Sequence, residues 1–154
     1  NIEASEIHSE DGNIKVEGSL KANNIELRNS QLIVESSLES KDIVVGKSIK
    51  IGGNLKAESV KIGGDLDVNG EVKSNKIIVG GKFQVNNKSE VNYVEAGGSY
   101  TVYGEASSKS IKVGGTLKTY GKLRAEKIDI GSIMFFILEL IMLPIILLWN
   151  TFCE

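Results

Sequence analysis

The chain has 154 residues, with 18 Lys and Arg against 20 Asp and Glu and a formal net charge of −2. That is enough length for one domain with a core, and the near-even balance excludes a strongly basic nucleic-acid binder. Gly 17 against Pro 1 suits a fold of many tight corners, while a single Cys and a single His exclude an internal disulfide framework and a Cys/His metal cluster.

From the first residues onward, branched aliphatics return at a fixed interval. One column runs Ile7, Ile25, Ile43, Val60, Ile77, Val94, Ile111, Ile128, with spacings of 18, 18 and then 17 throughout. Two residues later come Leu27, Val45, Ile62, Val79, Ala96, Val113 and Ile130. Three more columns run from Ile14 to Leu117, from Val16 to Thr119 and from Leu20 to Leu123. Self-similarity at a fixed period is the signature of a solenoid.

Within the coil 55–70 the pairs are Leu55/Ala57, Val60/Ile62 and Leu66/Val68. Members of a pair lie two apart, so both point to one face of a strand. The three or four residues between pairs form a corner. Three strands and three corners predict an all-β, three-sided parallel β-helix over 1–132, with seven full coils of about 17 residues and a partial eighth. Such a rod is on the order of 35 Å long.

The corners carry a signature of their own. Gly63-Gly64, Gly80-Gly81, Gly97-Gly98 and Gly114-Gly115 stack at one; Gly52-Gly53, Asn69-Gly70, Asn86-Asn87, Tyr103-Gly104 and Tyr120-Gly121 stack at another. Gly and Asn are expected there for the positive φ of a sharp turn. The hairpin turns of an antiparallel sandwich are the alternative, but they would not return in register every 17 residues. Outward charges also fall into columns. Lys21 lies over Glu39 and Glu39 over Lys56; Lys50 lies over Asp67; Glu95 lies over Lys112 and Lys112 over Asp129. Opposite charges so placed contribute roughly 0.2–1 kcal/mol each, and a mixed solvated surface explains them as well as recognition does.

After Gly131-Ser132 the material changes to IMFFILELIMLPIILLW, residues 133–149, with one charge, Glu139, and one proline, Pro144. The C-terminal segment 133–154 is expected to form a hydrophobic helix. It reads as a short membrane anchor through Ile133, Phe135, Phe136, Leu140, Leu143, Ile146, Leu148 and Trp149, as an apolar cap on the last coil, or as an artefact of a frameshift. Lys118, Lys122, Arg124 and Lys127 precede it and no basic residue follows, which would place the solenoid on the cytoplasmic side of a membrane. Lone Cys153 points to a reducing compartment. No signal peptide is visible, and the start at Asn1 rather than Met leaves room for a preceding segment.

The runs IGGNLKAESVKIGGDLDVNGEVKSNKIIVGG (51–81) and IKVGGTLKTYGKLRAEKIDIG (111–131) give the coils a rhythm that resembles the bactofilins, polymer-forming cytoskeletal proteins. The resemblance covers residues 2–131. It implies a right-handed β-helix and nucleotide-free, end-to-end polymerisation into non-polar filaments. It also implies a scaffold at the inner face of the cytoplasmic membrane, acting in cell shape. Elementary physics points the same way, because an uncapped parallel solenoid exposes apolar surface and unpaired strand edges at both ends. Alternating isologous joints would give a filament without polarity. The candidate end residues are Ile2, Ile7, Ile14 and Val16 on one side and Leu123, Ile128 and Ile130 on the other.

No catalytic, cofactor or metal site is legible. A hexapeptide-repeat acyltransferase is the enzyme alternative, but it would carry a catalytic His in a mid-solenoid loop, and His8 sits at the N-terminal edge. Asp65 and Asp67 share an outward face yet lack a His or third carboxylate, and Lys50 can neutralise one. The Gly pairs recur as corners without the following Lys-Ser/Thr of a phosphate loop. The expected function is therefore a non-enzymatic, self-assembling scaffold. Its partners would be further copies of itself and a membrane, with no nucleic acid and no small-molecule substrate. A surface solenoid binding a protein partner or a glycan is the alternative.

Overall fold

The computed structural model describes residues 1–135. Its strands are β1 (Ile2–Asp11), β2 (Ile14–Val16), β3 (Leu20–Asn29), β4 (Leu32–Val34), β5 (Leu38–Val45), β6 (Ile49–Ile51), β7 (Leu55–Ile62), β8 (Leu66–Val68), β9 (Val72–Val79), β10 (Lys82–Val85), β11 (Ser89–Ala96), β12 (Ser99–Val102), β13 (Ala106–Thr119) and β14 (Leu123–Phe135). Up to β12, odd-numbered strands pair with odd and even with even; both series meet in β13, which also pairs with β14. Pairing is parallel at each step. The protein is a parallel β-solenoid with coils of about 17 residues, as the spacing predicts.

Each coil has three sides but usually two strands. In β7, inward Leu55 and Ala57 are followed by outward Glu58 and Ser59 and then inward Val60 and Ile62. Two outward residues in succession bend the strand without ending it, so the corner between pairs three apart lies inside a strand. The corners between pairs four apart end the strand in most coils. The first two coils are one residue longer because Ser9 to Ile14 and Leu27 to Leu32 span five positions where later coils span four. Ser30, at that longer corner, is buried, and its hydroxyl has no partner among the described residues.

The core consists of the sequence columns. Ile25, Ile43, Val60, Ile77 and Ile111 are all buried, as are Leu27, Val45, Ile62 and Val79. Such full burial contributes about 1.5–3 kcal/mol per aliphatic side chain. A sixth column completes the prism: Ala22, Ser40, Ala57, Ser74 and Val91. Its serines turn their hydroxyls back to backbone carbonyls. Ser40 donates to Asn23 O at 3.1 Å and Ser108 donates to Asn92 O at 3.0 Å. In two columns, polar residues replace aliphatics as a matched pair. Ser89 and Tyr100 bring their hydroxyls to 2.6 Å, and the Tyr100 ring stacks on Phe83 with centroids 4.8 Å apart.

The corner glycines are required for a reason other than the one expected. Among the described residues only Gly12 has a positive φ, of 107°. At Gly63, Gly80, Gly97 and Gly114 the backbone runs so close to the previous coil that an added Cβ would collide with the carbonyl oxygen of the residue one coil back. The same approach makes hydrogen bonds such as Gly97 N–H to Val79 O at 2.9 Å. A further corner is held by side chains. Asn1 Oδ1 accepts from Ser19 N–H, Ser19 Oγ from Ser37 N–H, Ser37 Oγ from Asn54 N–H, and Asn54 Oδ1 from Glu71 N–H, at 2.8–3.4 Å.

The repeat runs past residue 132. β14 continues to Phe135, with Ile133 opposite Leu117 and Phe135 opposite Thr119. The first three residues of the expected hydrophobic helix are therefore strand. In backbone register, residues 133 and 135 follow Leu117 and Thr119 one coil on. The rest of the expected helix, including Phe136, Leu140, Leu143, Ile146, Leu148 and Trp149, lies outside the described residues.

Candidate functional site

The two ends of the solenoid are built differently. β1 pairs with β3 on one edge, and among the described residues nothing pairs with its other edge. Ile2 is 46% exposed on that open coil. Ile7 and Ile14 are half-buried against the core, and Val16 is already covered by the second coil. At the far end β14 pairs only with β13 among the described residues. Leu123 is buried there, and Ile128 and Ile130 are half-buried. The structure thus groups the candidate end residues on two terminal coils, with Val16 and Leu123 beneath their surfaces.

Charges on the first two coils are clustered and exposed. His8 Nε2 lies 3.1 Å from Glu10, and Arg28 Nε lies 3.2 Å from Glu26. Asn29 donates to Asp11 at 2.6 Å. These side chains are about half exposed, so each contact contributes little to stability. The expected columns pair in register: Lys21 with Glu39, Glu39 with Lys56, Lys50 with Asp67, Glu95 with Lys112 and Lys112 with Asp129. Of these, Lys112 and Glu95 approach to 3.9 Å. Elsewhere Lys88 lies 2.6 Å from Glu90, and the hydrogen bond and charge of Lys88 hold the Glu90 carboxyl below its usual range.

A groove of about 910 Å³ follows the bend inside the long strands, lined by Lys21, Glu39, Lys56, Glu58, Lys73 and Asn92 among others. Its floor is the sixth column of Ala and Ser. Tyr103 and Tyr120 stack at an exposed corner with centroids 4.9 Å apart and planes 8° apart. Asp65 accepts a hydrogen bond from Lys82 N–H at 2.7 Å, which makes it a corner brace between coils and not a partner of Asp67. Among the described residues, no group of three or more His, Cys, Asp or Glu is placed to hold a metal ion. Among them, too, no helix is long and apolar enough to cross a membrane.

No family model, no curated protein and no solved structure matches the chain. The side-chain ladder Asn1, Ser19, Ser37, Asn54 and the Ser89–Tyr100 pair escape a reading based on aliphatic periodicity. The ladder was present as Asn or Ser recurring at 17 or 18 residues. The pair was present as Ser in a Leu column beside Tyr in a Leu/Phe column.

Proposed function

We propose that this protein is a non-enzymatic, self-assembling scaffold of the bactofilin kind, which polymerises end to end without nucleotide and associates with a membrane through its apolar C-terminal segment. The observation that carries the proposal is the open edge of β1, with Ile2 exposed and Ile7 and Ile14 half-buried on a coil that nothing covers among the described residues. A second copy stacked there pairs the free N–H and C=O groups and buries those aliphatics together. The full chain, purified without nucleotide, is expected to sediment with increasing size as concentration rises and to form rods many coils long by electron microscopy. A strictly monomeric protein at high concentration would refute the proposal. Vesicle flotation tests the membrane part, with co-flotation expected.

The axial groove favours a second reading, a surface solenoid that binds an extended glycan or protein partner. Saturable binding of a soluble oligosaccharide to monomeric protein, weakened by Asn92→Ala, would support it over self-assembly.

A further inference from the structure

The two terminal strands carry complementary charges in a shared register. β1 holds Glu3, Glu6, Glu10 and Asp11 and no Lys or Arg. In β14, Leu123–Gly131 hold Arg124, Glu126, Lys127 and Asp129. The internal pairings fix how a copy would continue the stack. Ile2 pairs with Leu20 and Ile7 with Ile25, while Leu123 pairs with Ala106 and Ile128 with Ile111, all within the same two columns. A second copy one coil beyond β14 therefore sets Ile2 over Leu123 and Ile7 over Ile128.

That register places Glu3 over Arg124, Glu6 over Lys127 and His8 over Asp129, and it leaves Glu126 opposite Ser5. All of these side chains except Ser5 are charged or titratable, and all are exposed in the single chain. The joint also continues the columns inside each copy: Arg124, then Glu3, Lys21, Glu39 and Lys56 alternate in sign across it. A head-to-head joint does the opposite. It is isologous, so β1 meets a copy of itself and brings Glu3 and Glu6 toward a second acidic edge, while Glu10 and Asp11 are already held by His8, Arg28 and Asn29 of their own chain. A filament without polarity needs that joint in every repeat.

We propose that the acidic β1 edge is a docking surface for the β14 edge of a second copy, so that the protein assembles head to tail into polar filaments. The inference rests on the self-assembly reading and differs from the alternating joints of the family it resembles.

The direction is tested on the full chain carrying Cys153→Ser, so that no native thiol competes. Ser5→Cys and Glu126→Cys are added together. Seven coils separate the two positions within one chain, whereas neighbouring strands across a head-to-tail joint lie about 4.8 Å apart, within disulfide reach. Oxidation of assembled protein is expected to give intermolecular 5–126 links. Links of 5–5 and 126–126 would overturn the proposal. Separately, Glu3→Arg with Glu6→Lys is expected to raise the concentration needed for assembly by at least about tenfold, and adding Arg124→Glu with Lys127→Glu is expected to restore it. Unimpaired assembly of the first variant would also overturn it, because relief of head-to-head repulsion is what alternating joints require. Wild-type protein that never assembles would overturn the scaffold reading and this one with it, whereas assembly with like-end links overturns the direction alone.

Discussion

Tyr100 and Ser89 give the sharpest test of how the core is specified. Ser89 is 0% and Tyr100 1% exposed, and their hydroxyls meet at 2.6 Å. The columns around them are otherwise aliphatic or Phe, so neither hydroxyl has water nearby. Ser89→Ala strands the phenol hydroxyl and Tyr100→Phe strands the serine hydroxyl. Each single change is expected to cost about 1–3 kcal/mol, the desolvation penalty of one buried unpaired polar group. The double variant removes both partners while keeping the shapes, and Phe83 one coil below already shows that a Phe ring fits this column. Its cost is expected to stay under about 1 kcal/mol. Urea denaturation of all four proteins by far-UV circular dichroism measures the coupling. If the double variant costs the sum of the singles, the two hydroxyls are independent and the argument fails.

Burial pushes the Tyr100 hydroxyl well above the ordinary phenol range, with the Ser89 hydrogen bond opposing this only in part. A pKa raised in the folded state means stability is whole below the unfolded value near pH 10 and falls above it by about 1.4 kcal/mol per pH unit. Tyr100→Phe is expected to flatten that alkaline loss, read as Tm against pH. Thr119 is buried with no partner for its hydroxyl among the described residues, in a column otherwise of Val and one Ile, so Thr119→Val is expected to stabilise by about 1 kcal/mol in urea titrations. Gly97→Ala is expected to cost about 2 kcal/mol or more, because its Cβ meets the Gly80 carbonyl and the coils must part. Gly12→Ala meets nothing and is penalised only by its positive φ, about 1–2 kcal/mol. Thermal melts of the two variants separate a packing requirement from a conformational one.

The fold was legible because each coil repeats the same constraint. Ile and Val at 17-residue spacing have no other way to be buried together, and the outward charge columns follow once the register is set. The corner glycines were legible by position but not by cause, since closeness between coils is invisible to a rule about single-residue φ. The Ala/Ser column was visible at Ala57 beside Leu55 but not along its length, because Ser40 and Ser74 do not stand out as hydrophobic; their hydroxyls donate to backbone carbonyls there. The ends were readable only as unsatisfied aliphatics. Their charge relationship needed the pairing of β1 with β3 and of β13 with β14, because complementarity between residues 3 and 124 has no local trace.

The hydrogen bonds between coils all point along the rod. Tension applied at the two tips therefore loads the interfaces between turns in series, each carrying the same force, and the outermost turns, held by one neighbour instead of two, yield first. Compression loads the stacked side chains instead. Such a rod bears thrust better than pull, and when drawn out it is expected to yield turn by turn in even steps of about 17 residues.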